Sequence, residues 1–467
     1  MRAAETSNNR KKSTVRHTRA VQHDRSQRPA GAPSEEAIKT QLSDIVHRAA
    51  LNQVDLFHGM GLRERSLTLP VMMALVLSLI WRQMGCVAEL CRVINTEMIL
   101  WVPPMKISQQ GLGDRMRDLP AELFRRVLLE VLPKFRKRWE DRKRPVPTVL
   151  TWARERYSQV LICDGSTLDT VVRKTGLLVE GVKQVKQTKQ TKRTKPVKAA
   201  TNPLAGRIIA VLDLLSRLPV SVEYTDDETA NDQRFWDTIL KQVTRGALLI
   251  FDLGFTNYER FAQMTRDEIT FITRARSNMA YKVAYAIECT ANVHDLVVWI
   301  GDPDKGTYQQ VRLIRALYRG KWYEYLTNEL DAKRLPVHMA VDLYRQRWRI
   351  EDAFLITKSL LGLSYFFGGA NNAICIQVWA TWILYAVLVD LTDMVAEALA
   401  RPFADISMEM VYRALPFYIR ALDRGETNNL LSFLVARHKL YGLVKRKRST
   451  TPSKTRLHPP LTDNYFP

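Results

Sequence analysis

In this chain of 467 residues, 70 Lys and Arg stand against 48 Asp and Glu, a formal charge of +22, while 46% of residues are apolar. The apolar share supports two or three packed domains and excludes a disordered polymer. The charge points to an extended polyanion. Basic residues recur along the whole length and do not gather beside one apolar anchor, so nucleic acid is favoured over an acidic membrane surface. Five cysteines without metal-pair spacing fit a reducing compartment. No apolar stretch precedes Val71, so no signal peptide and a cytoplasmic location are expected.

Residues 1–34 are rich in Arg, Lys, Ser, Gln and Asn and read as a mobile basic tail, either a nonspecific DNA contact or a solvated leader. Residues 35–141 carry helical patterning and are expected to form an all-α domain, with helices over Ala37–Leu51, Pro70–Met84, Val87–Asn95, Ser108–Arg117 and Pro120–Arg138. Ser108 suits a helix cap and Pro120 a first turn. The short fourth segment offers Gln109, Gln110 and Arg115 and reads either as a groove-reading element or as a polar connector. Residues 142–158, with Pro145 and Pro147, read as a linker.

Gln159–Cys163 is a compact apolar run, read as a strand delivered into a turn at Asp164-Gly165. Lysines at 183, 186, 189, 192, 195 and 198 follow a three-residue period that fits neither a helix face nor a strand face, so 174–200 is expected to be an exposed loop. Strands are expected over Arg207–Leu215 and Val220–Tyr224, a helix over Asn231–Arg245, and a strand over Ala247–Phe251 that ends at Asp252. Asp213 is a rival carboxylate, set aside because no turn presents it.

From Asp252 to Glu351 is 351 − 252 = 99 positions, more than one returning helix needs. The excess alternates and is rich in β-branched and aromatic residues, so 270–335 reads as a β-rich insertion. Trp299 and Trp322 in it are candidates either to stack on a displaced base or to pack the sheet. Met339–Leu361 reads as one helix on which Tyr344, Arg347, Glu351 and Lys358 share a stripe of roughly 21 Å. The Arg347–Glu351 spacing also suits an ordinary salt bridge. Ala373–Val389 contains Gln377 and closes on Asp390, so a buried helix is favoured over a membrane span. Residues 401–467 read as helical and then basic, either supporting dimerisation or forming a solvated extension.

The pattern Tyr344, Arg347, Glu351, Lys358 resembles the Y-R-E-K signature of bacterial insertion-sequence transposases of the insertion-sequence-four type. Asp164-Gly165-Ser166 and Asp252-Leu253-Gly254-Phe255 resemble that family's first two acidic motifs, and the three occur in order. The resemblance implies an α/β fold: a ribonuclease-H-like catalytic core over 159–269 and 336–400, interrupted by the β-rich insertion and preceded by the all-α domain, which would bind the element's ends. It further implies cut-and-paste transposition, with Asp164, Asp252 and Glu351 as catalytic acids holding two Mg²⁺ ions, Mn²⁺ being able to substitute. Tyr344, Arg347 and Lys358 would contact DNA. The implied partners are terminal inverted repeats, target DNA and a second copy of the chain in a synaptic homodimer. A ribonuclease-H-like nuclease that hydrolyses without joining, or a noncatalytic DNA-binding regulator, would use much of the same sequence.

Overall fold

The computed structural model describes residues 34–62, 66–169, 204–227, 230–363, 366–367 and 370–445. The basic tail, the lysine-rich stretch and the residues after 445 lie outside the described residues. The fold is a mixed α/β arrangement built on one large sheet. Its nine strands are β1 (Val160–Asp169), β2 (Leu204–Asp213), β3 (Pro219–Thr225), β4 (Leu248–Phe251), β5 (Thr270–Arg274), β6 (Lys282–Cys289), β7 (Val293–Ile300), β8 (Gln309–Tyr318) and β9 (Lys321–Thr327). They stand in the order β3-β2-β1-β4-β5-β9-β8-β7-β6.

The pairing of β1 positions the site. It runs antiparallel to β2 and parallel to β4, and the last parallel pair is Cys163 beside Phe251. The next residues of the two strands, Asp164 and Asp252, therefore emerge side by side at one end of the sheet. The expected turn at Asp164-Gly165 is not observed: β1 continues to Asp169, because Asp164 to Thr167 pair onward with Ala210 to Arg207 of β2. The β-rich stretch 270–335 joins the main sheet. β5 lies parallel to β4, and β9 pairs antiparallel to β5, Ile272 facing Thr327.

Alternation along the strands divides the buried residues between two apolar layers. Leu161, Cys163, Ile209, Val211, Leu249 and Phe251 pack with Trp236, Phe255 and Phe261 on one face. Val160, Ile162, Ile208, Ala210, Leu248 and Ile250 face the other, where the helices lie. The helices Leu69–Trp81 and Glu122–Asp141 and the central helix Asn371–Ala398 all contribute to that second layer. The central helix is long and apolar enough to cross a membrane, yet 89% of its most apolar window is buried inside the fold. Burial on all sides explains its lack of a polar face.

Several helices differ from expectation. Between Arg142 and Tyr157 the chain forms the helix Thr148–Arg154, with Pro147 fixing its entry. The segment Asn231–Arg245 makes only a 3₁₀ turn, Asp232–Phe235, and a short helix, Trp236–Leu240, before turning back at Gly246, whose φ of +77° suits glycine. Ser108 caps the helix Gln109–Asp118 through the Gly111 amide at 3.0 Å. Asp213 accepts from the Ser216 amide at 3.0 Å and so closes the turn after β2.

Candidate active site

The single helix expected over Met339–Leu361 is three pieces: Val337–Arg345, Trp348–Leu355 and a π-helical turn, Ile356–Leu360. At the joint the bonding tightens, with Arg347, Arg349 and Ile350 donating three residues back to Tyr344, Gln346 and Arg347. In the π turn it widens, and Leu361 donates five residues back to Ile356 at 2.9 Å. These changes in winding bring four side chains spaced for one stripe onto the two strand ends.

Arg347 is the hub. Its Nη1 donates to Asp164 Oδ2 at 2.6 Å and its Nη2 to Glu351 Oε1 at 3.1 Å, so one guanidinium joins the first strand acid to the helical one. Arg347 is 5% exposed, and its Nε is buried without a hydrogen-bond partner among the described residues. The Tyr344 hydroxyl donates to Asp252 Oδ1 at 3.2 Å. Lys358 Nζ donates to Ser166 Oγ at 2.7 Å and to the Thr167 carbonyl, gripping β1 just past Asp164. Three sets of bonds thus meet at the strand ends: Arg347 with Asp164 and Glu351, Tyr344 with Asp252, and Lys358 with β1, the Arg347 guanidinium lying 5.9 Å from the Tyr344 ring.

The electrostatics follow from burying acids together. Burial raises the Asp164 carboxyl from its ordinary 3.8 to about 6; Arg347 and the Gly165 amide oppose the rise, while Asp252 and Glu351 add to it. Burial also raises Glu351, with Arg347 opposing and Asp252 reinforcing. Arg347 loses from burial but ends above its ordinary value because Asp164 and the surrounding acids favour its charge. Burial, ahead of the nearby charges, raises the Tyr344 hydroxyl, which stays a protonated donor.

All the acidic donors are oxygens, the set a hard dication prefers. Among the described residues no three His, Cys, Asp or Glu side chains are placed to hold a metal ion together. In this arrangement the Arg347 guanidinium supplies the compensating charge between Asp164 and Glu351. The carboxylate oxygens suit a hard divalent cation in kind, and the acids and Arg347 would have to move for one to enter.

The other candidate DNA-contacting residues lie elsewhere. Gln109 and Gln110 are exposed at the start of the helix Gln109–Asp118. Arg115 of that helix donates to the Leu67 carbonyl at 2.9 Å and lies over the Phe57 ring, which gives it a packing role. Trp299 stacks on Tyr308 with centroids 4.7 Å apart, and Trp322 packs on His294 under Arg315. Both tryptophans are half-buried among sheet neighbours.

Sequence reasoning missed a layer beneath the acids. Asp232 forms an ion pair with Arg207 at 2.5 Å, and Gln233 Nε2 donates to the Gly254 carbonyl at 2.7 Å. Their only advance signal is Asn231, a helix-capping residue type after a polar run.

Residues 158–380 match the family model described as "Transposase DDE domain", a span from just before β1 into the central helix. That segment is similar to the catalytic domain of DDE transposases, enzymes of polynucleotide cleavage and transfer. Among curated proteins, "Putative transposase y4zB" of Sinorhizobium fredii is 32% identical over 187 residues, covering 38% of this chain. The chain spans about half, 51%, of that relative's length. Among solved structures, the piggyBac transposase in a synaptic complex with hairpin DNA is 12% identical, with a TM-score of 0.38 over 82% of this chain and 77% of that one.

Proposed function

We propose that the chain is a metal-dependent DDE transposase of the insertion-sequence-four type, moving an insertion sequence by cut-and-paste transposition on a ribonuclease-H-like core. The observation that carries the reading is the placing of Asp164 and Asp252 one residue beyond the last parallel pair of β1 and β4, with Glu351 tied to Asp164 through Arg347. The match over 158–380 supports it.

Asp164, Asp252 and Glu351 would hold divalent cations, two Mg²⁺ or Mn²⁺. Such a pair, when bound, activates the attacking oxygen and stabilises the leaving one. Tyr344 orients Asp252. Arg347 keeps Asp164 and Glu351 together and adds positive charge beside the phosphate. Lys358 holds Ser166 and Thr167 and offers a second cation along the strand. The excess charge of +22 favours a DNA partner, and the helices before β1 would recognise terminal repeats. Holding two ends at once calls for a homodimer.

The test incubates the full chain and Mg²⁺ with a labelled duplex carrying the sequence that flanks its gene, resolved on denaturing and native gels. Cleavage at the repeat boundary with joined products is expected. Cleavage without joining would identify a nuclease, and selective binding without cleavage in Mg²⁺ or Mn²⁺ a regulator; either would overturn the proposal. Asp164→Ala should abolish cleavage and spare end binding.

A further inference from the structure

Alternation along β1 places the Asp164 side chain on the helical face of the sheet and turns the next residue, Gly165, toward the opposite face. Asp232 lies under that glycine. A Cβ added at Gly165 would overlap Asp232 Oδ1 outright and would also meet Ile209 Cδ1 at 2.7 Å and Arg207 Nη2 at 3.1 Å. A Cβ added at Gly254, two residues beyond Asp252, would meet Asp232 Oδ2 at 3.1 Å, a tighter approach than most real contacts. One carboxylate therefore rests its two oxygens against the two glycines that follow the two strand acids.

The support is itself held. Arg207 projects from β2, where it faces Thr167 of β1, and its Nη2 pairs with Asp232 while its Nη1 donates to the Ala230 carbonyl at 3.3 Å. Asn231 Oδ1 accepts from the Gln233 amide, and Gln233 Nε2 reaches the carbonyls of Gly254 at 2.7 Å and Thr256 at 3.2 Å. Trp236, 1% exposed, anchors the turn with its ring edge-on to Phe251 and Phe255. Burial raises the Asp232 carboxyl, Arg207 opposes the rise and Asp252 adds to it, so the charge of Asp232 is felt at the site.

We propose that Asp232, held by Arg207, is a positioning residue of the active site: it fixes the backbones behind Asp164 and Asp252 from the far face of the sheet and so sets the separation at which those two acids receive their cations. The inference rests on the reading of Asp164 and Asp252 as the metal-holding pair. It accounts for the glycine at 254, and at 165 it acts together with the Ile209 side chain. Asp232 touches backbone and leaves the ligating to the other acids.

The test measures Mn²⁺ affinity by calorimetry on the full chain without DNA, alongside the thermal midpoint in EDTA. Asp232→Asn keeps the bulk under both glycines but loses the charge that Arg207 holds. It is expected to weaken Mn²⁺ about tenfold, the usual effect of removing a group behind a ligand. Gly254→Ala pushes on the same carboxylate from above and should weaken Mn²⁺ similarly. A cycle of Asp232→Ala alone, Gly254→Ala alone and the two together closes the test: with the carboxylate gone the added methyl no longer meets Oδ2, so the losses of those two single variants should fall short of adding. Unchanged Mn²⁺ affinity in Asp232→Asn, or fully additive losses, would overturn the inference. Asp252→Asn separates the two readings. If it weakens Mn²⁺ strongly while the Asp232 and Gly254 variants do not, only the positioning role fails; if it leaves Mn²⁺ binding untouched, the metal-holding pair fails with it.

Discussion

Asp164→Asn should make the protein inactive and more stable. Burial lifts the Asp164 carboxyl from 3.8 to about 6 despite Arg347, so above pH 6 the fold holds an ionised group it would rather keep protonated. At about 1.4 kcal/mol per tenfold, that difference costs about 3 kcal/mol of stability at neutral pH. The sign is fixed by linkage. A carboxyl raised in the folded state binds its proton more tightly there, so its penalty is absent below pH 4, grows as pH rises to 6 and is constant above. Asparagine resembles the protonated form and removes the penalty. With an unfolding entropy of roughly 2 cal/mol/K per residue, about 3 kcal/mol in a chain of 467 residues raises the midpoint by about 3 °C. Calorimetry in EDTA at pH 4, 5, 6, 7 and 8 is the assay. Wild type and variant should coincide near pH 4 and separate by pH 6, and Mg²⁺ should narrow the gap by stabilising only the wild type. A variant less stable than wild type at pH 7.5, or a gap that ignores pH, would refute the reasoning.

Arg347→Met leaves Asp164 and Glu351 facing each other without their shared cation, and breaking such a buried pair typically costs about 3–5 kcal/mol; millimolar Mg²⁺ should restore part of the lost midpoint, and no restoration would argue that the acids do not share an ion. Tyr344→Phe removes only the hydroxyl bond to Asp252, so single-turnover cleavage should slow by about tenfold while the midpoint moves little. Because burial raises both Asp164 and Glu351, Mn²⁺ affinity measured by titration should fall as pH drops through about 6, where protons compete for the same oxygens. Lys358→Ala, which loses its bonds to Ser166 and Thr167, should weaken DNA binding and lower the salt slope by about one, as read from affinities between 50 and 200 mM salt.

The two strands were legible because an apolar run of four or five residues ahead of Asp is a local pattern; β4 ends as expected before Asp252, whereas β1 runs on through Asp164 to Asp169. The Tyr344, Arg347, Glu351, Lys358 spacing was legible for the same reason. Its geometry was not: apolar residues keep a helical period through 337–360, so neither the tightening at Arg347 nor the π turn leaves a mark in the pattern. The single nine-stranded sheet was hidden because it depends on β9 returning to β5 across some fifty intervening residues, a pairing no local pattern encodes. Asp232 was hidden for a different reason. It falls in the first turn of the helix expected over Asn231–Arg245, where an acid is ordinary, and only the folded chain puts it under two glycines.

The shared layer around the central helix has a consequence for how the chain is made. The helix Leu69–Trp81, buried along nearly its whole length, packs against Asn371–Ala398, which begins 371 − 81 = 290 positions later. At about 5–20 residues per second of synthesis, that apolar segment spends roughly 15–60 s off the ribosome before its partner exists. Through that interval the early helices are a sticky surface in search of cover. The nascent chain is therefore a natural client for a holding chaperone, and chains that end before about residue 400 should aggregate, however complete their catalytic motifs.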